Sequence, residues 1–125
     1  MTLLLDVNVL IAAIWTDHAD HKKADAGIAG RKLASCPVSE MGFIRISTHP
    51  KGLNVSMRDA RGVLKQFLDV RAVKFLPADL RVLKSNAARS DAVTDNYLAD
   101  LAAKHGMTLA TLDKGIKHPA AVLIA

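Results

Sequence analysis

The apolar run Leu3-Leu4-Leu5 ends in a carboxylate, Asp6, and the chain passes at once into a second apolar run, Val7-Asn8-Val9-Leu10-Ile11. A short apolar segment followed without a break by helical spacing reads as a buried strand handing over to a helix, with the acid at the junction. That arrangement belongs to α/β proteins, where the crevice outside the carboxyl ends of parallel strands is the usual ligand site. Burying a carboxylate is costly unless something holds it there, so Asp6 is the first candidate functional residue.

The rest of the chain repeats the alternation. Residues 2–6 read as a strand and 8–15 as a helix, and a second helix starts with Asp17 as N-cap and runs to about Gly30. Residues 33–36 form the next strand. Pro37 breaks the chain, and 39–47 return to helical spacing, ending before His49-Pro50 because the residue before a proline disfavours the helical region. Ser56 caps a helix whose Ala60, Val63, Leu64, Phe67 and Leu68 share one face. A strand at 73–76 and a helix at 79–87 follow. Thr94 caps a further helix with the stripe Tyr97, Leu98, Leu101 and Ala102, stopped by Gly106, and strands at 107–110 and 121–124 complete the series. Strands alternating with helices predict a mostly parallel sheet covered on both faces. The 125 residues fit one domain, 1–125, with no repeat and no linker-like stretch.

Composition narrows the partners. With 17 Lys and Arg against 12 Asp and Glu, the net charge is +5, which invites a polyanion or simply keeps the surface solvated. Eleven of the acids are Asp, leaving Glu40 as the single glutamate. One cysteine, Cys36, excludes an internal disulfide and a thiolate-rich metal site, and suits a small buried apolar role. No basic segment precedes the first apolar run, and Asp6 and Asn8 interrupt it, so the expected location is the cytosol, away from membranes. His18 and His21 have His-x-x-His spacing without an evident third ligand, and five aromatic residues are too few to build stacking platforms for single strands.

Four acids fall into a pattern on this framework. Asp6 ends the first strand, Glu40 lies in the first turn of the helix after the second, Asp95 follows Thr94, and Asp113 follows the strand Thr108-Leu109-Ala110. If the sheet brings those ends together, the carboxylates repel one another unless a cation compensates, and an oxygen-only set suits Mg²⁺ or Mn²⁺. Taken singly, each has an ordinary structural role too: Asp95 and Glu40 as first-turn acids facing a helix dipole, Asp113 as a turn residue before Lys114-Gly115.

The segments Leu5-Asp6-Val7-Asn8-Val9-Leu10-Ile11, Ser39-Glu40-Met41-Gly42-Phe43-Ile44-Arg45-Ile46, Thr94-Asp95-Asn96-Tyr97-Leu98-Ala99-Asp100-Leu101-Ala102 and Ala110-Thr111-Leu112-Asp113, in this order, resemble the successive motifs of PIN-domain ribonucleases, specifically VapC-type toxins of bacterial toxin-antitoxin pairs. The resemblance implies a three-layer α/β/α sandwich around a mostly parallel sheet. It also implies Mg²⁺- or Mn²⁺-dependent endonucleolytic cleavage of RNA, homodimers, and a neutralising antitoxin protein. Carried over by position, Asp6, Glu40, Asp95 and Asp113 would form the catalytic metal site, with Asn8 and Thr111 orienting carboxylates. The chain departs from the common pattern at Ile116, where an aromatic is usual.

Arg45, five positions after Glu40, is placed either to meet substrate phosphate or an antitoxin carboxylate, or to serve as a surface or ion-paired residue. Two other functional classes fit the same framework. One is a noncatalytic RNA-binding module. The other is an aspartyl-phosphate phosphotransfer domain, which would use Asp6 as covalent acceptor and Lys114 or Lys117 as its late lysine, but has Asn8 where a second Asp is needed.

Overall fold

The computed structural model describes residues 1–124. Its strands are β1 (Leu3–Leu5), β2 (Leu33–Ser35), β3 (Lys74–Phe75), β4 (Thr108–Thr111) and β5 (Ala121–Leu123). The helices are α1 (Val7–Ile14), α2 (His21–Ile28), α3 (Pro37–Thr48), α4 (Met57–Val70) and α5 (Val93–Lys104). All strand pairings are parallel, in the order β3-β2-β1-β4-β5. β1 is therefore central, which explains its three consecutive leucines: a strand buried on both faces has no polar side.

Side-chain alternation divides the core into two layers. Leu3 and Leu5 point with Leu33 and Ala110 toward Val9, Leu10, Ile28 and Phe43 of the helices on one face. Leu4 points with Ala34 and Leu109 toward Leu98, Leu101 and Ala102 of α5 on the other. The register Leu4↔Ala34 and Leu4↔Leu109 sets these residues in one row, so the predicted three-layer α/β/α sandwich is what the chain adopts. No helix among the described residues is long and apolar enough to cross a membrane.

Several boundaries differ from the sequence expectation, each for a local reason. α2 begins at His21, not Asp17, because His18 turns back on itself: its Nδ1 accepts from Asp20 N at 3.0 Å and its N–H reaches Trp15 O. α3 begins on Pro37, whose missing N–H costs nothing at the first helical position, so the proline starts the helix two residues before Ser39. Thr94 is not a cap: α5 begins at Val93, continuing a 3-10 turn at Ser90–Ala92, and Ala92 precedes it without a side-chain cap bond. Ser56 caps α4 as expected, accepting from Asp59 N at 3.0 Å.

The helix expected at 79–87 is absent. Residues 76–92 run irregularly through a 3-10 turn at Val82–Lys84, with Leu83 78% exposed, so an apolar helical face there has nothing to pack against. Hydrogen bonds to α5 hold the segment instead: Tyr97 OH donates to Leu80 O at 2.7 Å, Ser85 Oγ to Asn96 Oδ1 at 3.0 Å, and His105 Nε2 lies 2.8 Å from Asp79 Oδ1.

Gly42 governs how closely α3 approaches α1. A Cβ there would sit 2.5 Å from Val7 Cγ2 and 3.3 Å from Val7 Cβ, and a β-branched side chain in a helix has little freedom to move aside. Gly42→Ala is expected to lower stability by about 1 kcal/mol, overpacking of ~1–3 kcal/mol outweighing a helix-propensity gain of ~1 kcal/mol. The shift in the thermal unfolding midpoint measures it.

Candidate functional site

Asp6 is 2% exposed and stands between β1 and α1. Its Oδ1 accepts from Val7 N at 2.7 Å, which caps α1, and its Oδ2 accepts from Thr111 Oγ1 at 2.8 Å. Thr111 ends β4, the neighbour of β1, and is equally buried. Its hydroxyl donates to Asp6 while accepting from Asp113 N at 3.0 Å and Asn8 Nδ2 at 3.4 Å, which uses its one donor and both acceptor positions. Asn8 returns the contact, its Oδ1 accepting from Leu112 N at 3.2 Å. These bonds lace the first turn of α1 to the chain leaving β4, and Asp6, Asn8, Thr111 and Asp113 form one network.

Electrostatics draw in Asp95, half-buried in the first turn of α5. Burial pushes its carboxyl up to about 6, and the charges of Asp6, Asp113 and Asp91 add to the rise. Burial also raises Asp6 above the ordinary carboxylate range; the bonds from Thr111 and Val7 counter this, and Asp113 reinforces it. The exposed Asp113 has one oxygen, Oδ1, accepting from Gly115 N at 2.7 Å in a tight turn. Asp95 and Asp113 face a polar cleft of about 450 Å³ shared with Arg89, Asp91, Asn96 and Lys117.

Of the four acids expected to converge, three lie near enough for their charges to act on one another: Asp113 on Asp6, and both on Asp95. Glu40 Oε2 instead accepts from the buried Ser35 Oγ at 2.5 Å, at the end of β2, and its charge is not among those raising Asp6 or Asp95. Glu40 lines the groove between α3 and α4, as does Arg45, which is exposed and forms no ion pair among the described residues. Ser35 and Asp91 escaped the sequence reading. Ser35 was detectable as a polar residue closing an apolar strand, as Asp6 does; Asp91 carried no signal, falling between the helix expected at 79–87 and the cap expected at Thr94.

The donors suit a hard divalent cation in kind: all are oxygens, and they repel one another where a cation would relieve them. Among the described residues no three His, Cys, Asp or Glu side chains are gathered closely enough to form a ligand set unaided. That is compatible with Mg²⁺, which keeps several waters and takes one or two carboxylates together with substrate phosphate. His18 and His21 are occupied structurally, His21 Nδ1 lying 2.8 Å from Ala12 O. The engagement of both Asp6 oxygens disfavours its use as a covalent acceptor, which needs a free, accessible carboxylate oxygen.

The family model described as PIN domain matches residues 3–122. Ribonuclease VapC38 of Mycobacterium tuberculosis is 35% identical over 121 residues, 90% of this chain and 86% of that protein. Ribonuclease VapC44 of the same species is 34% identical over 126 residues, 93% and 89% of the two chains. Among solved structures, VapBC2 from Rickettsia felis bound to a DNA fragment from its promoter aligns with a TM-score of 0.62 at 14% identity, covering 92% of this chain and 90% of that one. FitAB bound to an IR36 DNA fragment aligns with a TM-score of 0.63 at 22% identity, covering 92% and 87%.

The raised Asp95 has a consequence for stability. A carboxyl that holds its proton more tightly when folded favours the folded state at low pH, and that contribution is lost as pH rises from 3.8 to about 6. Asp6 acts in the same direction. In the presence of chelator, the unfolding midpoint should therefore fall across this window, and Asp95→Asn should flatten the fall; urea unfolding at a series of pH values tests both.

Proposed function

This chain belongs to the PIN-domain family, and from that premise we propose that it is the endoribonuclease toxin of a toxin-antitoxin pair, hydrolysing RNA phosphodiester bonds with Mg²⁺ or Mn²⁺ at its acidic site. The observation that carries the reading is the gathering of Asp6, Asp95 and Asp113 at the carboxyl end of a parallel sheet, in carboxylates whose mutual repulsion calls for a cation.

Asp6, Asp95 and Asp113 would hold the cation, while Glu40, in the first turn of α3, is held by Ser35 at the end of β2. The chemistry such an ion supplies when bound is a lowered pKa for water and compensation of charge on phosphate oxygens. The chain's own residues orient. Thr111 and Val7 N–H fix both Asp6 oxygens, Asn8 fixes the exit from β4, and the turn at Gly115 fixes one oxygen of Asp113 and leaves the other free. Arg89 and Lys117 in the adjoining cleft are suited to the RNA backbone, consistent with the net charge of +5. Such contacts position a substrate without reading its sequence.

The groove between α3 and α4, about 720 Å³, is the place we assign to the antitoxin. Met41, Met57 and Phe75 line it and are 64%, 53% and 59% exposed, so an apolar partner segment would remove their surface from water. Arg45, Arg61 and Lys65 around it match acidic partner residues. Glu40 opens into the same groove, so an occupant there would also meet its carboxylate.

Purified partner-free protein should cut RNA into discrete fragments with Mg²⁺ or Mn²⁺ and not with chelator. Asp6→Asn should lower the rate by more than the ~100-fold typical of losing a residue that merely supports a ligand. Cleavage that survives both chelation and Asp6→Asn would sink the reading. Met41→Glu should retain cleavage yet lose neutralisation by the antitoxin, measured as the antitoxin concentration that halves the cleavage rate.

A further inference from the structure

β4 and β5 are parallel neighbours, yet residues 112–120 join them with no helix. Parallel neighbours ordinarily need a crossover of a dozen or more residues, most often helical. This short loop carries Asp113 as its second residue, whose position decides whether it meets Asp6 and Asp95. Its first residues are held by Asn8 and Thr111. Beyond them, among the described residues, Ala121 N at the start of β5 donates to His118 O at 3.0 Å, and a single side-chain hydrogen bond ties 114–119 to a helix: His118 Nε2 lies 2.7 Å from Asp100 Oδ1 on α5.

The tautomer of that ring is set by its surroundings. His118 Nδ1 lies 3.0 Å from Ala120 N, an N–H that can only donate, so Nδ1 accepts and the ring proton sits on Nε2, directed at Asp100. The imidazole is largely covered, its side chain 14% exposed, and Asp100 is 34% exposed. Asp100 belongs to the helix that carries Asp95 in its first turn. One side-chain pair thus joins the loop bearing Asp113 to the helix bearing Asp95.

We propose that His118 and Asp100 are positioning residues that hold the Asp113 loop against α5 and so set the placement of Asp113 relative to Asp95 for cation binding. The inference rests on the functional reading above, which places a divalent cation at these acids. Neither residue touches substrate; both act through the loop, and the bond requires an acceptor on α5, not a charge.

The test compares His118→Ala, Asp100→Ala and Asp100→Asn with the parent protein, by calorimetric titration with Mn²⁺ and by amide hydrogen exchange of residues 113–118. Both alanine variants should bind Mn²⁺ about 10- to 100-fold more weakly and exchange faster in the loop. Asp100→Asn keeps an oxygen that accepts from Nε2–H, so it should match the parent in both readouts, a rescue that a general loss of stability would not show. Should His118→Ala fail to fold, the two Asp100 variants decide the matter. Parental affinity and exchange in the alanine variants, or equal losses in Asp100→Asn and Asp100→Ala, would overturn the proposal. If the parent binds no Mn²⁺, the functional reading fails, and loop exchange alone decides the role of the pair.

Discussion

A carboxylate buried at the end of the central strand is the constraint around which the rest of this molecule is arranged. Asp6 is tolerated because two donors meet it, one from the helix it starts and one from Thr111 on the adjacent strand. The second donor exists only because β1 and β4 pair in parallel with Leu5 opposite Ala110, which brings both strand ends to one level. The Thr111 hydroxyl is then spent on three partners, and the chain after β4 must leave in the direction that lets Asn8 and Asp113 reach it. Fold and site are joined through that one hydroxyl, so a change in strand register would part Thr111 from Asp6 as well as turn each leucine to the opposite face of the sheet.

Much of this was legible in the sequence, and the limits are instructive. Leu3-Leu4-Leu5 announced a strand covered on both faces, Ser56 a helix start and Gly106 a helix stop; the last sits at φ +67 as a left-handed terminator. These are local signals with local causes. Pro37 was misjudged because proline both ends and begins helices, and only the chain's path decides which. The missing helix at 79–87 is a tertiary effect: Leu80, Asp79 and Ser85 make their bonds to Tyr97, His105 and Asn96 on another element, and no periodicity within the segment encodes that preference.

The site divides in the same way. Asp6 could be picked out because an acid inside an apolar run is anomalous by itself, and the spacing of motifs added the other three acids. Their grouping depended on where helices end in space. The charges of Asp6 and Asp113 bear on Asp95, whereas Glu40 is taken by Ser35 at the end of β2. Two of the acids therefore owe their environment to polar residues that close apolar strands, Thr111 for Asp6 and Ser35 for Glu40.

The single tryptophan of the chain lies at a useful place in this arrangement. Trp15, just past the end of α1, stacks on Phe43 of α3 with ring centroids 6.0 Å apart and planes 7° from parallel, and its indole N–H donates to Ser47 Oγ at 3.0 Å. The helices it spans are the two whose beginnings carry Asp6 and Glu40. Any rearrangement that changes the separation of α1 and α3, whether from an ion at the acids or a peptide in the groove, alters the polarity and stacking around one indole. The protein thus carries an intrinsic fluorophore wired to both of its candidate binding surfaces, and its emission can be followed without a label or a substrate.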